Sequence, residues 1–167
     1  MKKTIWVLIA ILTMSENIMA NDYKVMSNSI SLGIQKLDMG GDADNIISYE
    51  LGYHIMIGDD IRYGWEWNMG ILEDDSSASS EFLGDISGRF GYAPLANLDI
   101  YGTIGYGMQT FGIVTSATGL VYGLGIHYGI SDSMGITVSY KKYNLDYDFF
   151  DIEYDSSAMG VKLDFAF

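Results

Sequence analysis

The stretch Ile46–Ile71, "IISYELGYHIMIGDDIRYGWEWNMGI", decides how the rest of the chain folds. In its first half Ile47, Tyr49, Leu51, Tyr53, Ile55 and Ile57 fall on one side of an extended chain, and Ser48, Glu50, Gly52 and His54 on the other. After Gly58, Asp59 and Asp60 the alternation resumes, with Ile61, Tyr63, Trp65, Trp67, Met69 and Ile71 opposite Arg62, Gly64, Glu66, Asn68 and Gly70. A period of two is the period of a strand, because successive side chains of a pleated chain point to opposite faces. Two such runs around a short Gly/Asp turn predict a β-hairpin. Periodicity alone leaves the solvent open. In water the apolar face would need a packed core; in lipid it would face outward and the charged face would line a small polar lumen.

The same alternation predicts further strands near 28–36, 82–92, 98–108, 119–130, 134–143 and 156–167, which with 46–57 and 61–71 makes eight. Short links at 58–60, 93–97 and 131–133 alternate with longer ones near 37–45, 72–81, 109–118 and 144–155. Short turns alternating with long loops around an even number of strands is the layout of outer-membrane barrels, and it puts both termini on the short-turn, periplasmic side. The run Ile100–Ser131 contains no Asp, Glu, Lys or Arg and is longer than a membrane-spanning helix requires. A helix is rejected there because Gly102, Gly105, Gly107, Gly112, Gly119, Gly123, Gly125 and Gly129 would each cost its interior about 1 kcal/mol relative to Ala.

Residues 1–20, "MKKTIWVLIAILTMSENIMA", have the layout of a secretory signal: Lys2 and Lys3, an uncharged run from Thr4 to Ser15, and a small residue at Ala20. Residues 21–167 then form the single domain. Its removal takes away Lys2, Lys3 and Glu16, leaving 21 acids, 7 bases and a net charge of −14. Such a balance excludes nucleic acid as a partner, since binding there needs a basic surface. There is no Cys, so neither disulfides nor thiolate metal sites hold the fold. Aromatic residues at 14%, 20 Gly and one Pro favour long strands over helices or disorder.

Lipid or water is decided by what sits on each parity. The outward set includes Tyr49, Tyr63, Trp65, Trp67, Phe90, Tyr92, Tyr106, Tyr122, Tyr128, Tyr140 and Phe167, and aromatics near strand ends suit the interfacial girdles of a membrane barrel. The inward set carries Glu50, Glu66, Asp85, Asp99 and Asp164 against Arg62, Arg89, Lys141 and Lys162, with many glycines between them. Small inward residues are what a tightly curved wall needs around a few large side chains such as Tyr101 and Arg89. The fold expected is all-β: an eight-stranded antiparallel up-and-down transmembrane β-barrel.

"LDIYGTIGYG" (98–107), "GLVYGLGIHYGISDSMGITVSYKKY" (119–143) and the terminal Phe167 resemble the OmpA/OmpX-like family of small outer-membrane β-barrels. The likeness covers most of the chain after residue 20 in pattern, and about residues 98–143 and the last strand in wording. It implies an outer membrane of a Gram-negative bacterium, and that Phe165 and Phe167 serve as the signal read by the barrel-assembly machinery. A periplasmic peptidoglycan-binding domain like that of OmpA is not expected, so wall anchoring is not implied.

An eight-stranded barrel is just wide enough for its own side chains to fill. Glu50, His54, Arg62, Glu66, Asp85, Arg89, Asp99, Lys141, Lys162 and Asp164 are therefore expected to form a paired interior network, because an unpaired buried charge costs several kcal/mol. The alternative is a narrow channel for ions or small solutes running past Glu50, Arg62, Glu66 and Arg89. Catalysis is not expected. The small-barrel lipid A deacylases resemble this architecture and use a His, a Ser two residues later and a Glu, whereas His54 and His127 are followed at that spacing by Met56 and Gly129. Two His without Cys give no catalytic zinc spacing, and no cofactor is expected.

The long links carry Asp38, Asp42 and Asp44; Glu73, Asp74, Asp75 and Glu81; and Asp146, Asp148, Asp151, Glu153 and Asp155, with no Lys or Arg among them. No loop matches the D-x-D-x-D-G calcium pattern. An acidic rim attracts cationic or basic partners over long range and also simply stays solvated. Phe149 and Phe150 interrupt the acids of the fourth loop, so Asp74, Asp75, Asp148, Phe149, Phe150 and Asp151 are the candidate contacts with an extracellular cationic or protein partner. Lys36 and Lys142, outward at the loop ends of their strands, are candidate contacts for lipopolysaccharide, with ordinary snorkelling as the other reading.

Overall fold

The computed structural model describes residues 26–38, 46–72, 81–111, 115–147 and 153–167. These residues form eight strands: β1 (Met26–Asp38), β2 (Ile46–Ile57), β3 (Ile61–Leu72), β4 (Glu81–Leu95), β5 (Leu98–Phe111), β6 (Thr115–Ser131), β7 (Met134–Tyr147) and β8 (Glu153–Ala166). Each pairs antiparallel with its sequence neighbours, and β1 also pairs with β8, closing the barrel. Closure leaves no free edge, which a lone sheet in lipid could not tolerate.

The number and order of strands agree with the alternation, but several strands run further at their loop ends than the sequence suggests. β1 reaches Asp38, β5 reaches Phe111, β6 begins at Thr115, β7 reaches Tyr147 and β8 begins at Glu153. Asp38, Glu81, Asp146, Glu153 and Asp155, expected in loops, therefore stand on strand ends. Polar residues above the membrane band keep pairing because backbone hydrogen bonds there are satisfied most cheaply by the neighbouring strand. At the other end the links are tighter than expected: Ala93–Leu95 and Ser131 belong to strands, leaving Ala96–Asn97 and Asp132–Ser133 as two-residue turns. Gly58 opens the remaining turn at φ +117°, where a Cβ would collide with the Ile61 carbonyl.

Backbone bonds between neighbouring turns stitch this end together. Ala93 N donates to Asp60 O at 2.7 Å, Gly129 N to Asn97 O at 2.8 Å, Ala166 N to Ser133 O at 3.0 Å and Phe167 N to Asn28 O at 3.1 Å. Register shifts at Tyr92/Leu95 and Gly129/Ser131 bend β4 and β6 there, a common place for bulges at barrel rims.

Among the described residues, thirty large apolar or aromatic side chains are exposed and twelve hydrophobic residues are buried. A water-soluble domain of this size would reverse that ratio. The exposed set forms one belt. On β6 it runs from Leu120 through Tyr122, Leu124, Ile126 and Tyr128 to Ile130, about 33 Å along the strand and roughly 24 Å tall at a 45° tilt, the height of a lipid-facing band. Tyr63, Phe90, Tyr92, Tyr128, Phe165 and Phe167 lie toward its turn side, and Tyr49, Tyr106, Tyr122 and Tyr140 toward its loop side. Tyr53 and Ile55 depart from the pattern, being buried at outward positions; the Tyr53 ring packs 5.4 Å from that of Trp65.

Candidate functional site: the barrel lumen

Inward positions divide the lumen into three layers. The middle layer holds three carboxylates, Glu50, Glu66 and Asp85, and three cations, Arg89, Lys141 and Lys162, all buried. Lys141 Nζ lies 2.6 Å from Glu66 Oε1 and 2.8 Å from Asp85 Oδ1. Lys162 Nζ donates to Glu50 Oε1 at 3.1 Å and to Asn68 Oδ1 at 2.8 Å. Asp85 also accepts from Ser87 Oγ at 3.0 Å, Tyr143 Oη at 3.1 Å and Asn68 Nδ2 at 3.3 Å. Arg89 Nη1 is 3.7 Å from Glu66 Oε2, and its guanidinium rests 3.4 Å over the Tyr101 ring. Tyr101 in turn lies on Gly125, where a Cβ would strike the ring. Thus Gly125 admits Tyr101, and Tyr101 supports Arg89.

The turn-end layer is more open. A cavity of about 550 Å³ opens there, lined by His54, Arg62, Asp99, His127 and Asp164 among others. Arg62 Nη1 meets Asp99 at 2.7 and 2.9 Å, and its Nε donates to Asp59 O at 3.0 Å. His127 Nδ1 stands 3.0 Å from Asp164 Oδ2 and 3.1 Å from Thr137 Oγ1, while Thr137 donates to Asp164 at 2.5 Å. The His54 and His127 rings meet edge-on at 6.1 Å. A His, a hydroxyl and a carboxylate in contact invite comparison with a catalytic triad. Here both contacts use the same nitrogen, so this imidazole cannot hold the carboxylate on one side and draw a proton from the hydroxyl on the other.

The loop-end layer was not anticipated from the sequence. Leu37, Leu83, Ala117, Val121, Tyr143, Leu145 and Ala158 are buried in one inward apolar cluster, with Tyr147 packed against it. This cluster lies between the ionic layer and the loop end, with Gln109 and Ser156 buried beside it, so apolar side chains fill much of the described lumen at that level. Leu37 and Leu145 are the signal that could have revealed it, since extending the two-residue alternation of β1 and β7 by one more step puts both inward.

Placed on this frame, all ten residues expected inside the barrel point into it, in a middle group around Asp85 and a turn-end group around Arg62 and Asp164. Phe165 and Phe167 are exposed at the turn end, and Lys36 and Lys142 are exposed on the outer wall near the loop end. The loop candidates Asp74, Asp75, Asp148, Phe149, Phe150 and Asp151, the acids Asp42, Asp44 and Glu73, and the signal segment 1–20 lie outside the described residues.

The profile of the family described as outer membrane protein beta-barrel domain matches residues 7–165. The chain belongs to this family. It is an outer-membrane β-barrel protein, and the solved structures it resembles include small barrels of the same kind. The attachment invasion locus protein Ail of Yersinia pestis superposes with a TM-score of 0.61 at 17% identity, over 85% of this chain and 97% of Ail. Neisserial surface protein A gives a TM-score of 0.61 at 9% identity, over 88% of this chain and 100% of that one. The N-terminal barrel of Pseudomonas aeruginosa OprF gives 0.55 at 15% identity, over 84% and 97%. Identities this low carry the fold and not the activity. No curated protein sequence matches the chain significantly.

Proposed function

We propose that the barrel acts from the cell surface, through its loop end, as a non-catalytic contact protein for cationic or basic partners, with both termini in the periplasm. The observation that carries this reading is the apolar cluster: with Leu37, Leu83 and Leu145 filling the loop end of the described lumen, the acids on the strand ends beside it are left to act outward. Asp38, Asp146 and Asp155 stand exposed on the strand ends that lead into those loops. Against Ail the likeness is in fold only. Ail has also been solved with the heparin analogue sucrose octasulfate, a polyanion; an acidic rim suits ligands of the opposite sign.

Cells displaying the wild-type protein are expected to retain polylysine-coated beads. Asparagine at Asp74, Asp75, Asp148 and Asp151 together should remove most of that retention, as should raising the salt from about 0.15 M to 1 M. Serine at Phe149 and Phe150 should weaken a protein partner's pull-down without touching the bead signal. Equal retention by wild type and the four-Asn variant would end the reading.

The second reading, a narrow channel, draws on the turn-end cavity and the charges beyond it. Planar bilayers separate the two. The wild-type barrel is expected to give no discrete conductance steps, whereas serine at Leu37, Leu83 and Leu145 together should produce them by wetting that cluster. Steps from the wild type would favour the channel. Phe165 and Phe167 suit recognition by the assembly machinery, being exposed at the turn end of β8 and just beyond it.

A further inference from the structure

The charges inside the barrel do not cancel. Among the described residues five carboxylates are buried in the lumen, and four Lys or Arg side chains point in at them. Lys162 pairs with Glu50, Lys141 and Arg89 with Glu66 and Asp85, and Arg62 with Asp99. Asp164 is the acid left over. Its Oδ2 is contacted by His127 Nδ1 and Thr137 Oγ1, and a neutral imidazole gives a hydrogen bond there without a permanent charge. Its Oδ1 is buried with no hydrogen-bond partner among the described residues, on a side chain only 2% exposed. Enclosing a carboxylate in this way is unfavourable unless a cation reaches it.

Asp164 lines the turn-end cavity, and the rest of that lining fits one kind of cation. Among the described residues no three His, Asp or Glu are grouped to hold a metal ion. Ser29 and His54 instead add hydrogen-bond acceptors beside the carboxylate, which suits the several N–H donors of an ammonium group. Arg62, on the same lining, is already neutralised by Asp99. Met56 and Met134 supply an apolar stretch of wall, and Asp132 stands exposed on the β6–β7 turn at the edge of the cavity. Gly135 is opposite Asp164 on the neighbouring strand, and Asp132 lies three residues before Gly135. The two acids are thus roughly 10 Å apart between Cα atoms, a span that a four-carbon chain bridges with a hydrogen bond at each end. We propose that this cavity binds a short aliphatic diamine, one ammonium on Asp164 Oδ1, the other on Asp132 and the methylenes along the methionines.

Entry from the periplasm rests on the orientation proposed above, but binding to the detergent-solubilised barrel does not. The test is calorimetric titration of the folded protein in micelles, with asparagine at Asp74, Asp75, Asp148 and Asp151 so that the loop acids do not contribute. Putrescine should bind once per barrel and severalfold more tightly than n-butylamine, the gain expected from one exposed ion pair; butanediol should give no heat of binding. Asp164→Asn, which keeps the side chain's size, should weaken putrescine about tenfold or more, as the loss of a hydrogen bond to a charged group does. Asp132→Asn should bring putrescine down to the level of n-butylamine. The heat-dependent shift in gel mobility confirms that each variant is folded, and Asp132→Asn, on an exposed turn, decides the matter if Asp164→Asn does not fold. Butanediol binding as well as putrescine, or unchanged putrescine affinity in either folded variant, would overturn the site. Bead retention by the loops is read at the other end of the barrel, so either idea can fail while the other stands.

Discussion

Replacing Asp85 by Asn is expected to destabilise the folded barrel by about 3–5 kcal/mol, the usual cost of stripping one partner from a buried charge pair. Asp85 joins Lys141, Tyr143, Asn68 and Ser87, and it is one of three carboxylates facing three cations in the middle layer. The Asn variant leaves two carboxylates, with Glu66 shared between Lys141 and Arg89. One buried positive charge is then uncompensated, although the side chain's size is unchanged. Urea titration in detergent micelles, followed by the mobility difference between folded and unfolded barrel, measures the loss. Removing the pair together, as Asp85→Leu with Lys141→Met, should recover most of it, because the isolated charge disappears too. A loss under 1 kcal/mol in the single variant would mean that water fills the middle layer and screens it.

Arg in place of Leu124 is expected to cost about 2–4 kcal/mol, the value for a cation on the lipid face near the bilayer midplane. Leu124 is 68% exposed and sits midway along the outward belt of β6. On a protein surrounded by water, such an exposed position would tolerate Arg within about 0.5 kcal/mol. Arg at the exposed Asn144, above the belt, should cost only about 0–1 kcal/mol, as near an interface. A gradient from Leu124 to Asn144 is therefore a measure of the membrane itself. Equal, small effects at both positions would place neither in hydrocarbon.

The strand count, the pairing order and the face on which each charge lies were legible because they depend on a period of two and the turns between its runs, which Ile46–Ile71 displays on both sides of Gly58–Asp60. Ends were harder. At the loop side the alternation passes from apolar/polar to polar/apolar: Asn144 and Asp146 are exposed while Leu145 between them is buried. Read by residue type such a run looks like a loop; read by parity it continues a strand whose outside has left the membrane. That inversion is also why the apolar cluster was hidden, since Leu37, Leu83, Val121 and Leu145 occupy the inward parity that elsewhere holds Glu, Lys and Arg. Which charge pairs with which was not legible either. Lys162 reaches Glu50, 112 residues away, and Lys141 reaches Asp85, 56 residues away. Those partners are set by how far each strand is staggered around the closed wall, a quantity fixed by the whole barrel rather than by any one stretch. The single stack of Arg89 on Tyr101 on Gly125 shows the local part of the same rule: the glycine is the vacancy that the ring needs.

The central claim is that bulky side chains face hydrocarbon while ionic ones are enclosed, and tryptophan fluorescence tests it directly. In a chain beginning at Asn21, Trp65 and Trp67 are the only tryptophans, and both lie on the outward parity of β3. Refolded into vesicles, their emission should be strongly quenched by lipids brominated on the acyl chains and little affected by iodide in the buffer. A chain that stays monomeric and folded without detergent, with tryptophans open to iodide and indifferent to brominated lipid, would contradict the account.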